Sequence, residues 1–176
     1  MVCLWRQHAV AVLSSIVLLP LLGCQQAGLV ELPQRSRVNG EIPPGRVTRA
    51  AKIELLVRLP VDNGREIMVY RTTRIPGTRA PIHSHQYGGI TCLLQGESTM
   101  RVEGKPPMPH QEGDCYPMLP GVPMVNLNSG KGQFVTLDFF QVPKGAPVWH
   151  VLEPGTEAIG AQFDASAADS KSQPHS

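Results

Sequence analysis

Two histidines separated by one residue, His83 and His85, are the side chains of this sequence best suited to chemistry. In a β-strand, residues two positions apart point to the same face, so both imidazoles can enter one cavity. Neutral imidazole binds zinc, copper, iron and nickel, and it also exchanges hydrogen bonds with small polar molecules. The spacing therefore predicts either a metal site or a polar ligand pocket, provided that a strand carries the pair.

Other kinds of functional site are poorly supported. No nucleophile stands in a recognisable arrangement with an oriented base, and Gly88-Gly89 is too short for a phosphate-binding loop. The chain has 16 Lys and Arg against 14 Asp and Glu, a formal net charge of +2, without a basic cluster. We therefore expect no nucleic-acid partner.

The segments around the histidines have the pattern of short β-strands. The chain contains 17 Gly and 17 Pro among 176 residues, which is too rich in turns for a helical bundle. Residues 52–59 alternate with a period of two, so that one face carries Ile53, Leu55, Val57 and Leu59. Further strand-like runs follow at residues 67–73, 90–94, 98–102, 115–119, 122–127 and 133–142. With no sustained helical periodicity, this predicts an all-β barrel or a two-sheet jelly roll.

The region from Gly77 to Asn128 resembles the two sequence motifs of the cupin family. Gly77, His83, His85 and Gly96 match the first motif in order and spacing, whereas Gly89 stands where the family usually has Glu. The second motif begins at Gly113 and ends at Asn128, with Pro at 120, one place late, and Met124 in the position of the usual His. The resemblance implies a single cupin jelly-roll barrel, which we place at residues 50–155.

The resemblance also implies a metal site with two departures. Cupins often hold iron, manganese, nickel, copper or zinc with three His and one Glu, and this sequence retains His83 and His85. Met124 occupies the third place, where its thioether would suit Cu(I) better than Fe(II) or Mn(II). The alternative is a cavity without metal, in which Met124 fills the volume of the missing His.

Alternation along the strands predicts which side chains enter the barrel. Asn126 and Asn128 share the face of Met124, and Gln86 adjoins the histidines, so these three polar residues are predicted to line a ligand pocket. For Asn128 the alternative is that it satisfies a turn. If position 89 faces inward, Thr91 and Leu93 do so too. Ile90, Cys92 and Leu94 then form an outer row.

The first residues resemble the export signal of a bacterial lipoprotein. Residues 9–22 are an apolar run with Pro20, too short to span a membrane as a helix. Leu21, Leu22, Gly23 and Cys24 are similar to a lipobox, which implies cleavage after residue 23 and lipid attachment at Cys24. Gln25 after the cysteine favours the outer membrane, with the domain facing the periplasm or the exterior. We assign residues 24–49 to a linker and 156–176 to a flexible tail.

Two further features bear on partners. Cys92 and Cys115 remain after removal of the leader, and they are either a disulfide or two buried small side chains. Val135, Leu137 and Phe139 form an apolar row that alternates with Thr136 and Asp138. An apolar outer row needs a cover, such as a second subunit or the N-terminal segment, so a homodimer is plausible.

The leading interpretation is an extracytoplasmic cupin lipoprotein that binds a small molecule, a metal ion or both in its barrel. Two alternatives stay open. One is a divergent metal-dependent oxygenase, isomerase or hydrolase that uses His83 and His85. The other is an envelope interaction module whose barrel is only structural.

Overall fold

The first sheet of the protein is a five-stranded antiparallel layer. This computed structural model describes residues 35–169, with side chains to residue 163. The described residues belong to one structural unit. In spatial order the strands are β2 (Lys52–Val61), β3 (Arg65–Arg74), β11 (Phe134–Pro143), β6 (Gly89–Gln95) and β9 (Cys115–Met118).

A second sheet carries the histidines. Its spatial order is β1 (Arg46–Val47), β4 (Thr78–Arg79), β10 (Met124–Asn128), β5 (His83–Ser84) and β12 (His150–Val151). Two more strands extend it, because β7 (Glu97–Val102) pairs with β10, and β8 (Met108–Gln111) pairs with β7. All pairs are antiparallel except β1 with β4.

The core lies between the two sheets. Tyr70 and Phe140 from the first sheet pack in one cluster with Met100 and Val102 from the second. Trp149, just before β12, joins the same cluster. The prediction of an all-β jelly-roll barrel is therefore confirmed.

The predicted apolar row of the first long strand is wrong in its second half. A β-bulge lies between Leu55 and Val57, and the added residue reverses the inward and outward positions beyond it. Val57 is consequently 43% exposed, while Arg58 turns inward and forms a bidentate ion pair with Glu66.

A C-terminal helix is the largest departure from the predicted elements. Helix α1 spans Glu157–Asp169, a segment assigned above to a flexible tail. Trp149 Nε1 donates to Gly160 O at 3.0 Å, and Gln162 exchanges two hydrogen bonds with the backbone of Ala50. Phe163 enters the core and is 7% exposed. The helix is thus held by contacts distant in sequence, which local periodicity does not record.

Part of the predicted linker also packs on the barrel. Val38 is 1% exposed, and the Asn39 side chain donates to Val102 O and Lys105 O while accepting from Gly104 N. The domain therefore begins before residue 50.

The predicted facing of β6 is confirmed. Thr91 and Leu93 are buried, whereas Ile90 and Leu94 are 51% and 43% exposed. On the outer face Cys92 lies opposite Cys115 of β9, and the two form a disulfide. The open alternative for this pair is thereby resolved.

The predicted leader and the predicted lipid-attachment residue Cys24 lie outside the described residues. Within residues 35–169, no helix is long and apolar enough to cross a membrane.

Candidate functional site

The two histidines lie side by side inside the barrel. His83 and His85 are 6% and 4% exposed, and their ring centroids are 4.9 Å apart. Each Nδ1 donates to a backbone carbonyl at 2.8 Å, His83 to Pro81 O and His85 to Val148 O. A carbonyl only accepts, so each Nδ1 carries the proton, and each Nε2 of the neutral ring keeps a free lone pair.

Burial keeps both rings neutral. Loss of solvent holds the pKa of His83 well below its usual value, with the neighbouring His85 adding to the effect. The same cause lowers the pKa of His85 to about 4. At neutral pH both imidazoles are therefore uncharged, and each Nε2 has the lone pair that a hydrogen-bond donor or a metal ion would need.

The histidines line a cavity of about 520 Å³, a volume that includes the space at its mouth open to solvent. Its walls combine thioethers, aromatic rings and a few buried polar groups. The thioether and aromatic residues are Met100, Met118, Met124, Phe134, Phe140, Trp149 and Phe163, and the polar ones besides histidine are Thr72, Arg74, Thr91, Asn126, Thr136 and Asp138. Mostly apolar walls with few polar groups are typical of small-molecule sites.

A buried carboxylate, Asp138, is held by three threonine hydroxyls. Thr72 and Thr91 donate to it at 2.8 Å, and Thr136 donates at 3.1 Å. Burial raises the pKa of Asp138, while the three hydroxyls and the charge of Arg74 act in the opposite direction. The three hydroxyl donors favour the ionised form of Asp138 and offset part of the cost of burying it.

Arg74 is a buried cation at the end of β3. Its side chain hydrogen-bonds through Nη1, to Thr48 O at 2.9 Å and Thr48 Oγ1 at 3.5 Å. Burial lowers the pKa of Arg74 to about 10, with Asp138 opposing the shift, so the guanidinium remains charged at neutral pH. Within the described residues, Arg74 forms no ion pair and no hydrogen bond through Nε or Nη2.

Asn126 adds a further polar group to the cavity. Its Nδ2 donates to Tyr116 Oη at 2.9 Å, and burial raises the pKa of that phenol, so Tyr116 is uncharged at neutral pH. Asn126 Oδ1 is buried, and within the described part of the chain it has no hydrogen-bond partner. This oxygen is an acceptor that a ligand can satisfy.

The structure brings together four of the predicted site residues and separates two. His83, His85, Met124 and Asn126 all line the cavity. Gln86 does not, because it follows β5 in an exposed turn. The sixth residue, Asn128, also lies outside the lining: it is fully buried, donates to Arg74 O and Gly132 O, and accepts from Gly130 N. Its turn-supporting alternative is the one observed.

Sequence reasoning missed Arg74, Asp138 and the threonine cradle as site residues. A signal was present for Asp138, because it alternates with the apolar row of Val135, Leu137 and Phe139 and so faces the opposite side. No comparable signal marks Arg74, since a strand-terminal arginine is usually exposed.

The three-His, one-Glu metal site that the resemblance implies does not fit this barrel. A Cβ at Gly89 would lie 2.7 Å from Met118 Cε and Phe139 O and 2.9 Å from Phe140 Cδ1, so the carboxylate position is already filled. In residues 35–169, no three His, Cys, Asp or Glu side chains are grouped as a metal site requires. What remains is two imidazoles beside thioethers, and Met124 is the direct register partner of His83.

Comparisons with known proteins give similarity in structure only. No protein-family model matches the chain, and no curated protein matches it significantly. A similar solved structure is the DMSP lyase DddQ from Ruegeria pomeroyi, with 22% identity, a TM-score of 0.45 and 51% of this chain covered. The chain spans 44% of that lyase's length.

Two other similar structures are matched over more of their length. An RmlC-like cupin family protein with a double-stranded β-helix fold, from Methanocaldococcus jannaschii, has 16% identity and a TM-score of 0.45, with 66% of this chain and 94% of that one covered. An uncharacterized double-stranded β-helix protein from Klebsiella pneumoniae has 21% identity and a TM-score of 0.43, with 61% and 90% covered.

Proposed function

We propose that the barrel cavity binds a small polar molecule and that binding is the role of the domain. The observation that carries this proposal is the set of buried polar groups left without protein partners in one cavity. Arg74 has unused donors, Asn126 Oδ1 has no partner, and the Nε2 atoms of His83 and His85 have free lone pairs. Buried polar groups are normally hydrogen-bonded, so a ligand that completes them stabilises the folded protein.

The test compares how far a ligand raises the thermal stability of the parent protein and of a variant in which a larger side chain fills the cavity. Ala80 lines the cavity without contributing a polar side chain, so Ala80→Met should obstruct binding, whereas Ala51→Met on the surface is the matched control. Thermal unfolding is measured against a library of small polar metabolites. A compound at 100 times its Kd should add about 2.7 kcal/mol of stability.

The expected result is stabilisation in the parent protein and Ala51→Met, and its loss in Ala80→Met. Stabilisation that persists in Ala80→Met would place binding elsewhere. No stabilisation by any compound would favour an envelope interaction module, and turnover of a stabilising compound would favour the enzyme alternative.

A Cu(I) site is a second candidate function for the same cavity. Two neutral imidazoles and the thioethers of Met100, Met118 and Met124 line it, and soft thioether ligands favour Cu(I). Met124→Leu should then weaken Cu(I) binding at least tenfold in competition with a chromogenic chelator. Met108→Leu, a partly buried methionine outside the lining, is the control. Equal copper affinity in both variants would reject this candidate.

We further propose that the protein is a lipoprotein of the bacterial cell envelope, anchored through Cys24. The Cys92–Cys115 disulfide supports an extracytoplasmic location, because such bonds persist mainly in oxidising compartments. Acylation at Cys24 would tether the domain to a membrane that it does not span. Cys24→Ser should release the processed protein from membranes, and continued membrane association would argue against the lipid anchor.

A further inference from the structure

We propose that the cavity ligand is a small hydroxy acid, whose carboxylate pairs with Arg74 and whose hydroxyl donates to one of the two imidazoles. This inference rests on the proposed binding function and names the class of molecule that the site selects. It follows from three features of the cavity: a charged guanidinium, a set of hydrogen-bond acceptors, and walls that are otherwise mostly apolar.

The carboxylate is required by Arg74. Its side chain is buried, yet the described residues supply it with no ion pair and use only its Nη1 donor. A guanidinium matches a carboxylate in shape and charge, through two parallel hydrogen bonds where both donors are free. Asp138 forms no ion pair with Arg74 among the described residues, and its oxygens accept from Thr72, Thr91 and Thr136 instead.

The ligand should carry one negative charge rather than two. Asp138 lines the same cavity as Arg74 and interacts electrostatically with it. Arg74 is the one lysine or arginine among the described residues that line the cavity, so it can balance a single negative charge, and a dianionic phosphate would leave an excess of negative charge. A monoanionic carboxylate therefore fits better than a phosphate ester.

Three acceptors in the cavity call for a hydrogen-bond donor on the ligand. His83 Nε2, His85 Nε2 and Asn126 Oδ1 have lone pairs to offer and no hydrogen to give. A ligand must therefore bring a hydrogen-bond donor to the cavity. A neutral hydroxyl supplies one donor without burying a second charged group of the ligand, whereas an ammonium group would lose its hydration on entering. The thioether and aromatic walls, including Met124 and Phe140, then accommodate a short aliphatic body.

The charge and the hydroxyl can be tested one at a time with four molecules of nearly equal size: lactate, propionate, lactamide and alanine. Propionate lacks the hydroxyl, lactamide lacks the charge, and alanine replaces the hydroxyl with ammonium. Affinities are measured by titration calorimetry and by the fluorescence of Trp149, which lines the cavity. The full chain carries Trp5→Phe, so that Trp149 is its single tryptophan. Lactate should bind at least tenfold more tightly than each of the other three.

Arg74→Gln should reduce lactate affinity at least tenfold, leave lactamide affinity unchanged, and so bring their ratio to about one. Arg71→Gln, three residues earlier on the outer face of the same strand, is the matched control and should preserve the ratio. If Arg74→Gln does not fold, Asn126→Asp keeps the size of the cavity while adding a negative charge, and it should weaken lactate more than lactamide.

Equal binding of lactate and lactamide in the parent protein, or an unchanged ratio in Arg74→Gln and Asn126→Asp, would overturn the ligand class. So would the absence of lactate binding at millimolar concentration. The broader binding function fails by a different measurement, since it requires that no library compound stabilises the parent protein or that Ala80→Met leaves the stabilisation intact.

Discussion

At the scale of single residues, burial determines the state of each functional group. The same loss of solvent keeps the imidazoles of His83 and His85 neutral and raises the pKa of Asp138. Local hydrogen bonds then decide how each group presents itself: the carbonyls that accept from Nδ1 leave Nε2 free, and the threonine hydroxyls saturate the carboxylate. The cavity therefore offers neutral imidazole acceptors, a carboxyl group held by threonines, and a guanidinium without an ion pair among the described residues.

Thr91→Val tests the threonine cradle with a side chain of similar shape. At a pH where Asp138 is ionised, removing one hydroxyl donor should lower the free energy of unfolding by about 1.5–3 kcal/mol, the usual range for a hydrogen bond to a charged group. The lost hydroxyl lowers the pKa of Asp138 in the parent protein, so the variant should raise that pKa further. The penalty is therefore fully present above the pKa of the variant and shrinks as the pH falls and the carboxyl is protonated.

Urea unfolding of Thr91→Val at several pH values provides the measurement. Thr73→Val, a partly buried threonine on the other face of β3, is the control and should show neither the loss nor its pH dependence. A penalty of the same size at acidic and neutral pH would mean that the cradle does not act through the charge of Asp138.

At the scale of elements, long-range contacts overrule local pattern in two places. The bulge in β2 reverses the facing of its second half, which brings Arg58 to Glu66 and exposes Val57. Helix α1 forms in a segment with weak helical pattern, because Trp149 and Ala50 hold it against the barrel and Phe163 packs into the core and lines the cavity.

Gly160 lets α1 approach β12 closely, so Gly160→Ala should destabilise the protein. In an exposed helix this substitution typically adds about 0.5–1 kcal/mol of stability. Here the new Cβ would lie 2.7 Å from Val151 Cγ2, too close without movement. Val151→Ala removes the Cγ2 atom that the new Cβ would meet. The free energy of unfolding of the double variant should therefore exceed that of Val151→Ala alone by the usual amount of about 0.5–1 kcal/mol. Thermal unfolding followed by circular dichroism checks both, and a stabilising single variant would contradict the packing of α1.

At the scale of the whole molecule, the outer face of the five-stranded sheet carries several exposed apolar side chains. Ile90, Leu94, Phe139 and Leu59 are 51%, 43%, 37% and 52% exposed, and the disulfide lies on the same face. Large apolar patches are uncommon on soluble monomers. We therefore propose a second copy of the chain as the cover, in line with the homodimer expected from the sequence.

The dimer is tested by charge on this face. Phe139→Asp should shift sedimentation velocity toward the monomer, because a carboxylate placed in an apolar interface would lose its solvation. Ile42→Asp, at a 64% exposed position outside the two sheets, should leave the association unchanged. A monomeric parent protein at the same concentration would reject the proposal.

The disulfide should contribute to stability through the unfolded chain. It joins residues 23 apart in sequence, and loop-closure entropy for such a loop corresponds to about 3 kcal/mol. Dithiothreitol should lower the Tm of the parent protein and leave that of the Cys92→Ser/Cys115→Ser variant unchanged. Equal Tm values with and without reductant in the parent protein would show that the bond adds nothing.

Much of the barrel and four of the residues that line the cavity were predictable from the sequence. The two-residue period predicted most of the longer strands and the inward facing of Thr91, and the His-x-His spacing predicted two imidazoles in one cavity. These succeed because facing within a strand is a local property of the backbone.

The remaining features were decided by tertiary structure alone. Whether Arg74 stays unpaired, whether Asn128 supports a turn or lines the cavity, and whether α1 forms all depend on which distant groups come within hydrogen-bonding or packing distance. The sequence by itself determined a β-barrel with two inward histidines. Only the folded chain decided the cavity's charge, because desolvation and partner geometry arise when separate strands meet.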